Sequence, residues 1–276
     1  MFETIDFDSH FAEYSTQWMN RHMKEYRNYD AMEEDIPRVY MAFLNEPAPW
    51  LDGLTPGSYF TQFEDPKDLV DWLVAYCEKG VPVPELLLEQ MENVGKPCEK
   101  RLVALLKDEN APADARMTAI GVLRSMESEQ PKSLYVSWQI NREKEDELAE
   151  NALDSLREMG KAALPALREA LPRANEAGQA AILDILTNYP CTESVFQTTL
   201  RLFDRLRDER EVFAAYLARL GDTRALPALL RAAEDEATGY VTYIELRAAI
   251  ERLGGQAPER DFSGDPQYEA LKQAGN

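Results

Sequence analysis

The residues able to do chemistry are few and badly placed for it. There are two histidines in 276 residues, His10 and His22. A protein zinc site needs three or four ligands at characteristic spacings, and no third ligand stands at such a spacing here. His22 shares a helical face with Phe11, Tyr14 and Trp18 and reads as a core histidine, whereas His10 lies at a helix start with no obvious partner. The three cysteines, Cys77, Cys98 and Cys191, are odd in number and widely separated. That pattern fits neither a zinc motif nor a disulfide framework, and it suits small buried residues in a reducing cytoplasm. The acidic cluster Asp30, Glu33, Glu34 and Asp35 sits at a helix start. Carboxylates there complement the helix dipole, a structural reading that outweighs general acid–base work. Neither a GxGxxG nor a GxxxxGK[ST] phosphate loop occurs, and neither HExxH nor GxSxG occurs. The serines have no plausible histidine partner apart from those two early histidines. No catalytic residue, cofactor or metal is expected from this inventory.

The charge narrows the partners. The chain carries 50 acids and 30 bases, for a net charge of −20. Up to Trp138 there are 25 acids and 13 bases, and beyond it 25 acids and 17 bases, so the excess is spread rather than held in a tail. Phosphate binding is driven by Lys and Arg, so such a surface repels nucleic acid and anionic lipid and suits a basic protein partner. Solubility is the plainer reading of the same charge. No run approaches the ~20 apolar residues of a membrane helix. The start, MFETIDFDSHF, has neither the basic region nor the apolar core of a secretory signal, so a cytoplasmic location is expected.

The elements that must carry any site are helices. Residues 220–236 read LGDTRALPALLRAAEDE. Gly221 can close one helix in the left-handed conformation, and Asp222 or Thr223 can cap the next. Ala225, Leu226, Leu229, Leu230 and Ala233 then recur at helical spacing, with Pro227 tolerated in the first turn. Leu226 and Leu229 are both expected to be nearly fully buried. A second helix follows with Tyr240, Tyr243, Ile244, Ala248 and Leu253 as inward residues, ending at Gly254-Gly255. Upstream, LREMGKAALPAL matches LARLGDTRALPAL. From Leu164-Pro165 to Leu226-Pro227 is 62 residues, two steps of 31, and one step lands on the apolar run from Val195-Phe196. An earlier unit fits Leu102 to Met126.

The LGDTRALPALL string resembles the HEAT-like repeats also found in phycobilisome lyases, over roughly residues 97–255. The last unit matches well and the 192–220 unit poorly. The resemblance implies an all-α fold, an α-solenoid of helical hairpins. It implies no single activity. Its most general use would be a non-catalytic protein-interaction scaffold, with the second helix of each pair lining a concave face. Arg116, Tyr216, Tyr240 and Tyr243 are then candidate binding residues. Bilin lyases, which attach or detach a tetrapyrrole, are the enzymatic alternative and would need a large apolar pocket. DNA-repair glycosylases also use HEAT-like solenoids, but they need a basic concave face, and the bases here (Arg116, Arg124, Arg157 and others) lie amid excess acid.

Three divisions follow: 1–95 as an N-terminal helical cap or subdomain, 96–255 as repeats, and 256–276 as a tail. Residues 1–8 read as loose. A first helix is predicted over about 9–26 and a second over about 31–44, which Pro37 should kink or split. The loop NEPAPWLDGLTP surrounds Trp50, which can plug the core or serve binding. In the tail a short helix over 267–273 offers Tyr268 and Leu271 to cover the last repeat, and Gly275-Asn276 read as frayed. The repeats are interrupted at residues 126–141. Tyr135 and Trp138 there, in a short extended piece or a helical turn, either cover a groove between repeats or anchor a partner.

Overall fold

A computed structural model describes residues 3–274; the ends read above as loose or frayed at residues 1–2 and 275–276 lie outside the described residues. Among the described residues all regular structure is helical, with no strand. The chain divides into two compact units, Met1–Pro131 and Lys132–Asn276. The helices over residues 96–125, grouped above with the repeats, thus belong with the N-terminal unit.

In the first unit, α1 (Phe7–His22) starts where the Asp6 carboxylate accepts the Ser9 N–H. Residues 3–6 before it, expected to be loose, are tied down. The Glu3 carbonyl accepts the Trp72 indole N–H at 3.1 Å, and the Tyr76 hydroxyl bonds both the N–H and the carbonyl of Ile5 at 3.1 Å. Phe7 is buried against Trp50, Tyr59 and Phe60. Aromatic burial so near the start is what fixes the segment. Pro37 acts as expected: α2 (Tyr29–Glu33) ends before it, and α3 (Ile36–Asn45) begins with the proline in its first turn, where a missing N–H breaks no bond. Then come α4 (Pro66–Lys79), α5 (Glu85–Val94), α6 (Lys96–Leu106) and α7 (Ala113–Ser125). Asp65 caps α4, and Gly80 ends it at φ 62°, a conformation open to glycine without steric cost. These four helices pack mutually, and α1 packs on α3.

In the second unit the first helix is α8 (Lys132–Ile140), where the sequence left open a short extended piece or a helical turn. Tyr135, Val136 and Gln139 are its buried residues, spaced one and four apart as on one helical face. It packs on α9 (Glu147–Met159), so the segment is the first half of a hairpin and not an insertion. Next are α10 (Leu164–Ala170), α11 (Glu176–Leu186), α12 (Glu193–Arg205), α13 (Arg210–Leu220), α14 (Leu226–Glu234), α15 (Tyr240–Arg252) and α16 (Pro266–Ala274). Pro165 and Pro227 stand in the first turns of α10 and α14. Gly221 closes α13 in the left-handed region at φ 69°.

Side chains at matching places in successive pairs bond one another. Arg224 bonds Glu193 and Thr242 bonds Glu211 across 31 residues, and Tyr216 bonds Asp184 across 32. The poorly matching stretch 192–220 still forms the pair α12 and α13.

Two stripes are rotated from expectation. Leu229 and Ala233 of α14, and Ala225 just before it, are fully buried, while Leu226 is only half-buried. The small residues mark the line of closest helix contact, and Leu226 flanks it. In α15 the inward residues are Tyr243, Leu246, Ala249 and Ile250, whereas Ile244 and Ala248 face outward. The tail covers more than a short helix would: Phe262 is buried against Tyr240 and Tyr243, and Arg260 donates to the carbonyls of Ala233 and Asp235. Tyr268 packs on Tyr240, but Leu271 is 55% exposed.

Candidate interaction surface

Most residues singled out as binding candidates are structural. Tyr135 is buried, a core residue of α8 rather than an anchor, with its ring 5.7 Å from that of half-buried Trp138. Tyr216 is buried, and its hydroxyl donates to Asp184 at 3.2 Å. Burial first, and the neighbouring carboxylate second, push its pKa well above the ordinary tyrosine value. Tyr243 is buried and donates to the Pro258 carbonyl. Half-buried Tyr240 is covered by Phe262 and Tyr268 of the tail. Arg116 donates to the Leu106 carbonyl at 3.1 Å, tying α7 to the end of α6. Tyrosine at helical spacing carries the same sequence signal whether it faces the core or solvent, which is why these residues could not be told apart.

What the second unit does present is the outward side of α9, α11, α13 and α15. A cavity of about 500 Å³ lies along the first three. Its floor is Ala177, Ala180 and Ala181 of α11, and its walls are charged. Arg157 donates to Asp184 at 2.7 Å and to Asp154, and the Asp184 bond is the first reason its pKa is raised. Arg142 is buried and held by Gln139 and Glu150. Lys144 pairs with Glu209 at 3.6 Å. The three bases lining the cavity are thus engaged with acids. A tetrapyrrole pocket of the bilin-lyase kind would be apolar, and this one is walled by ion pairs. A DNA-binding face would leave bases free, and here Arg157, Arg219 and Arg247 all pair with carboxylates.

Further along, α13 and α15 carry exposed apolar residues among charged ones. Val212 of α13 is 43% exposed, and Val241 and Ile244 of α15 are 39% and 38% exposed. Ala215 and Ala248 continue the two stripes at helical spacing. Exposed Glu245 and half-buried Glu211 lie beside them. Hydrophobic periodicity alone had assigned Ile244 and Ala248 to the core, so this patch was missed.

The remaining chemically capable residues are dispersed. Cys98 is buried, and burial pushes its thiol up to about 11; Cys77 is half-buried, but Cys191 is exposed, unlike the buried position expected for it. His22 stacks on Trp18 and its Nδ1 lies 2.8 Å from the Trp18 carbonyl. His10 does have a partner: its ring stacks on Trp50 at 3.9 Å. Trp50 is only half-buried, standing at the edge of a cleft rather than plugging the core. Among the described residues no group of three or more His, Cys, Asp or Glu is placed to hold a metal ion. No helix among them is long and apolar enough to cross a membrane. No family model, curated protein or solved structure matches this chain.

Proposed function

We propose that residues 132–255 act as a HEAT-like helical-repeat scaffold, an α-solenoid whose outward second-helix face docks a basic, amphipathic protein segment. The observation that carries this reading is the exposed stripe Val212, Val241 and Ile244 on α13 and α15, beside Glu211 and Glu245. Solvent-exposed apolar residues gathered on adjacent helices are a usual mark of an interaction site. The repeat reading is supported by the bonds across 31 and 32 residues, which join equivalent positions of successive hairpins. In a repeat array each unit touches only its neighbours, so a docking face extends with every added pair. The acidic surroundings would steer a basic partner and speed encounter. The apolar stripe would supply the affinity.

The test is a titration with amphipathic helical peptides bearing Lys or Arg on their polar face, followed by amide exchange. Saturable binding that weakens with salt and protects α13 and α15 is expected. Ile244→Ser should weaken it by about tenfold, the scale of losing one buried anchor. No saturation by any peptide, or equal binding by Ile244→Ser, would overturn the reading.

A further inference from the structure

The N-terminal unit carries a second, chemically different cleft. One wall is α1, whose Tyr14 and Trp18 stand one turn apart. The other is the turn Glu46–Trp50, with Pro47, Pro49 and Trp50. The cavity between them is about 500 Å³.

Its rings are held in place. Trp50 stacks on His10 at 3.9 Å and meets Phe7 edge-on at 5.4 Å. Trp18 stacks on His22 at 4.8 Å. The Tyr14 hydroxyl donates to Glu46 at 2.8 Å. Burial first, and that bond second, raise the Tyr14 pKa. The turn is prefolded too. The Ala48 N–H bonds the Leu54 carbonyl at 2.9 Å, the Gly53 N–H bonds the Ala48 carbonyl at 3.1 Å, and Asp52 takes the left-handed conformation at φ 53°. A ligand would therefore meet fixed ridges and would not have to order them.

The polar groups say what fits. Among the described residues neither the Trp18 nor the Trp50 indole N–H has a hydrogen-bond partner, although both residues line the cleft. The site thus offers donors beside aromatic and proline surfaces. A polyproline II segment is the complement: its prolines have no N–H, its carbonyls point outward unbonded, and its rings pack against aromatics. Exposed Glu13 and the Tyr14-bound Glu46 add negative charge at the cleft, against Arg21, which is bonded to Gln17 at 3.4 Å. A basic residue flanking the prolines fits the two carboxylates.

We infer that this cleft binds a proline-rich segment in the polyproline II conformation carrying a flanking arginine or lysine. Both indole N–H groups would donate to peptide carbonyls. The site is separate from the face proposed on α13 and α15, and it stands or falls independently.

The probe is a panel of proline-rich decapeptides with arginine at one end or the other, beside the same peptides with alanine for proline. Titration of the full chain by calorimetry should saturate with at least one arginine–proline peptide and not with the alanine versions. Trp18→Ala and Trp50→Ala should each weaken binding by about tenfold or more, as for truncation of an aromatic anchor. Trp18→Phe and Trp50→Phe keep a ring but lose the donor and should weaken it several-fold; they carry the test if the alanine variants misfold by circular dichroism. Trp138→Phe, outside the cleft, should bind like wild type. No saturation by any proline peptide at millimolar concentration would overturn the inference. So would equal binding of the alanine peptides, phenylalanine variants that bind like wild type, or displacement of the peptide by tetramethylammonium at comparable affinity, which would make the cleft a cation cage.

Discussion

Gly178, near the start of α11, faces the backbone of Gln139 in α8 so closely that no side chain fits between them. A Cβ at this position would lie far inside van der Waals contact with the Gln139 carbonyl oxygen, 3.0 Å from its carbonyl carbon and 3.2 Å from the Ala174 Cβ. The obstacle is backbone, which cannot swing aside. Asn175 binds the same junction, its N–H on the Ile140 carbonyl at 2.8 Å and its side chain on the Arg142 carbonyl at 2.9 Å.

Gly178→Ala should therefore destabilise the second unit by about 1–3 kcal/mol, the usual cost of overpacking. Gly121, mid-helix in α7 with nothing within 4 Å of a built Cβ, is the control. Gly121→Ala should be neutral or stabilising by up to about 1 kcal/mol through helix propensity and chain entropy. Urea denaturation of both variants checks the contrast; equal effects would mean that the α8–α11 contact does not exclude a methyl group.

This junction also shows where sequence reading stops. The hairpins at α10–α11 and α14–α15 were legible because each begins with Leu-Pro after a small-residue turn. α8 has no such marker, so its apolar residues read equally as a short extended piece or a helical turn. Its packing depends on Gly178 and Asn175, more than thirty residues away, and a local window does not see them. The same limit applied to the surface. A period of 3.6 finds apolar residues on a helix but not which of two apolar faces turns inward. On α15 the buried stripe Tyr243, Leu246 and Ile250 and the exposed stripe Val241, Ile244 and Ala248 are equally periodic. The cleft at Trp18 and Trp50 joins α1 to a distant turn, and the sequence showed only a tryptophan among prolines.

Leu229 is fully buried in α14, and Leu226, three residues earlier, is half-buried. Leu229→Ala should cost about 2–5 kcal/mol, the range for a large-to-small core change. Leu226→Ala should cost clearly less. Denaturation midpoints of the two variants give the comparison, and the reverse order would mean that α14 is rotated about its axis.

Asp265 caps two helices at once. One carboxylate oxygen accepts the Gln267 and Tyr268 N–H groups at 2.9 and 3.1 Å, starting α16, and the other accepts the Tyr240 N–H at 3.0 Å, starting α15. Those backbone bonds, the Tyr268 bond first, hold its pKa below the usual carboxylate value. A depressed pKa means that the stabilisation is complete above the ordinary carboxylate range and is lost as pH falls through the folded value. Acidification below about pH 4, where a free aspartate titrates, should therefore loosen α16. Amide chemical shifts of Tyr240 and Tyr268 should move together in that range. In Asp265→Asn both should be displaced at neutral pH and lose the acid transition. Independent movement of the two amides would show that the carboxylate does not couple the helices.

Tyr76 holds the segment before α1 through one hydroxyl, which bonds both polar backbone groups of Ile5; burial pushes its pKa up to about 12. Tyr76→Phe should leave the two Ile5 groups short of a partner and cost about 1–3 kcal/mol. Limited proteolysis should cut before Phe7 faster in the variant, and an unchanged cleavage rate would assign the anchoring to Phe7 and Trp72 instead.

The Ile5–Tyr76 bond spans 71 residues, while the bonds between successive hairpins in the second unit span about 31. In loop-closure entropy the difference is small, about 0.7 kcal/mol by the logarithmic law. In time it is large. At 5–20 residues per second of synthesis, roughly 4–14 s separate the making of Ile5 from that of Tyr76. Through that interval the backbone N–H and carbonyl of Ile5 have no Tyr76 hydroxyl to bond and stay open to misdirected contacts. Each hairpin of the second unit waits less than half as long for its neighbour. The two units are thus exposed to different risks on the ribosome, set by how far apart in the chain their closing partners lie.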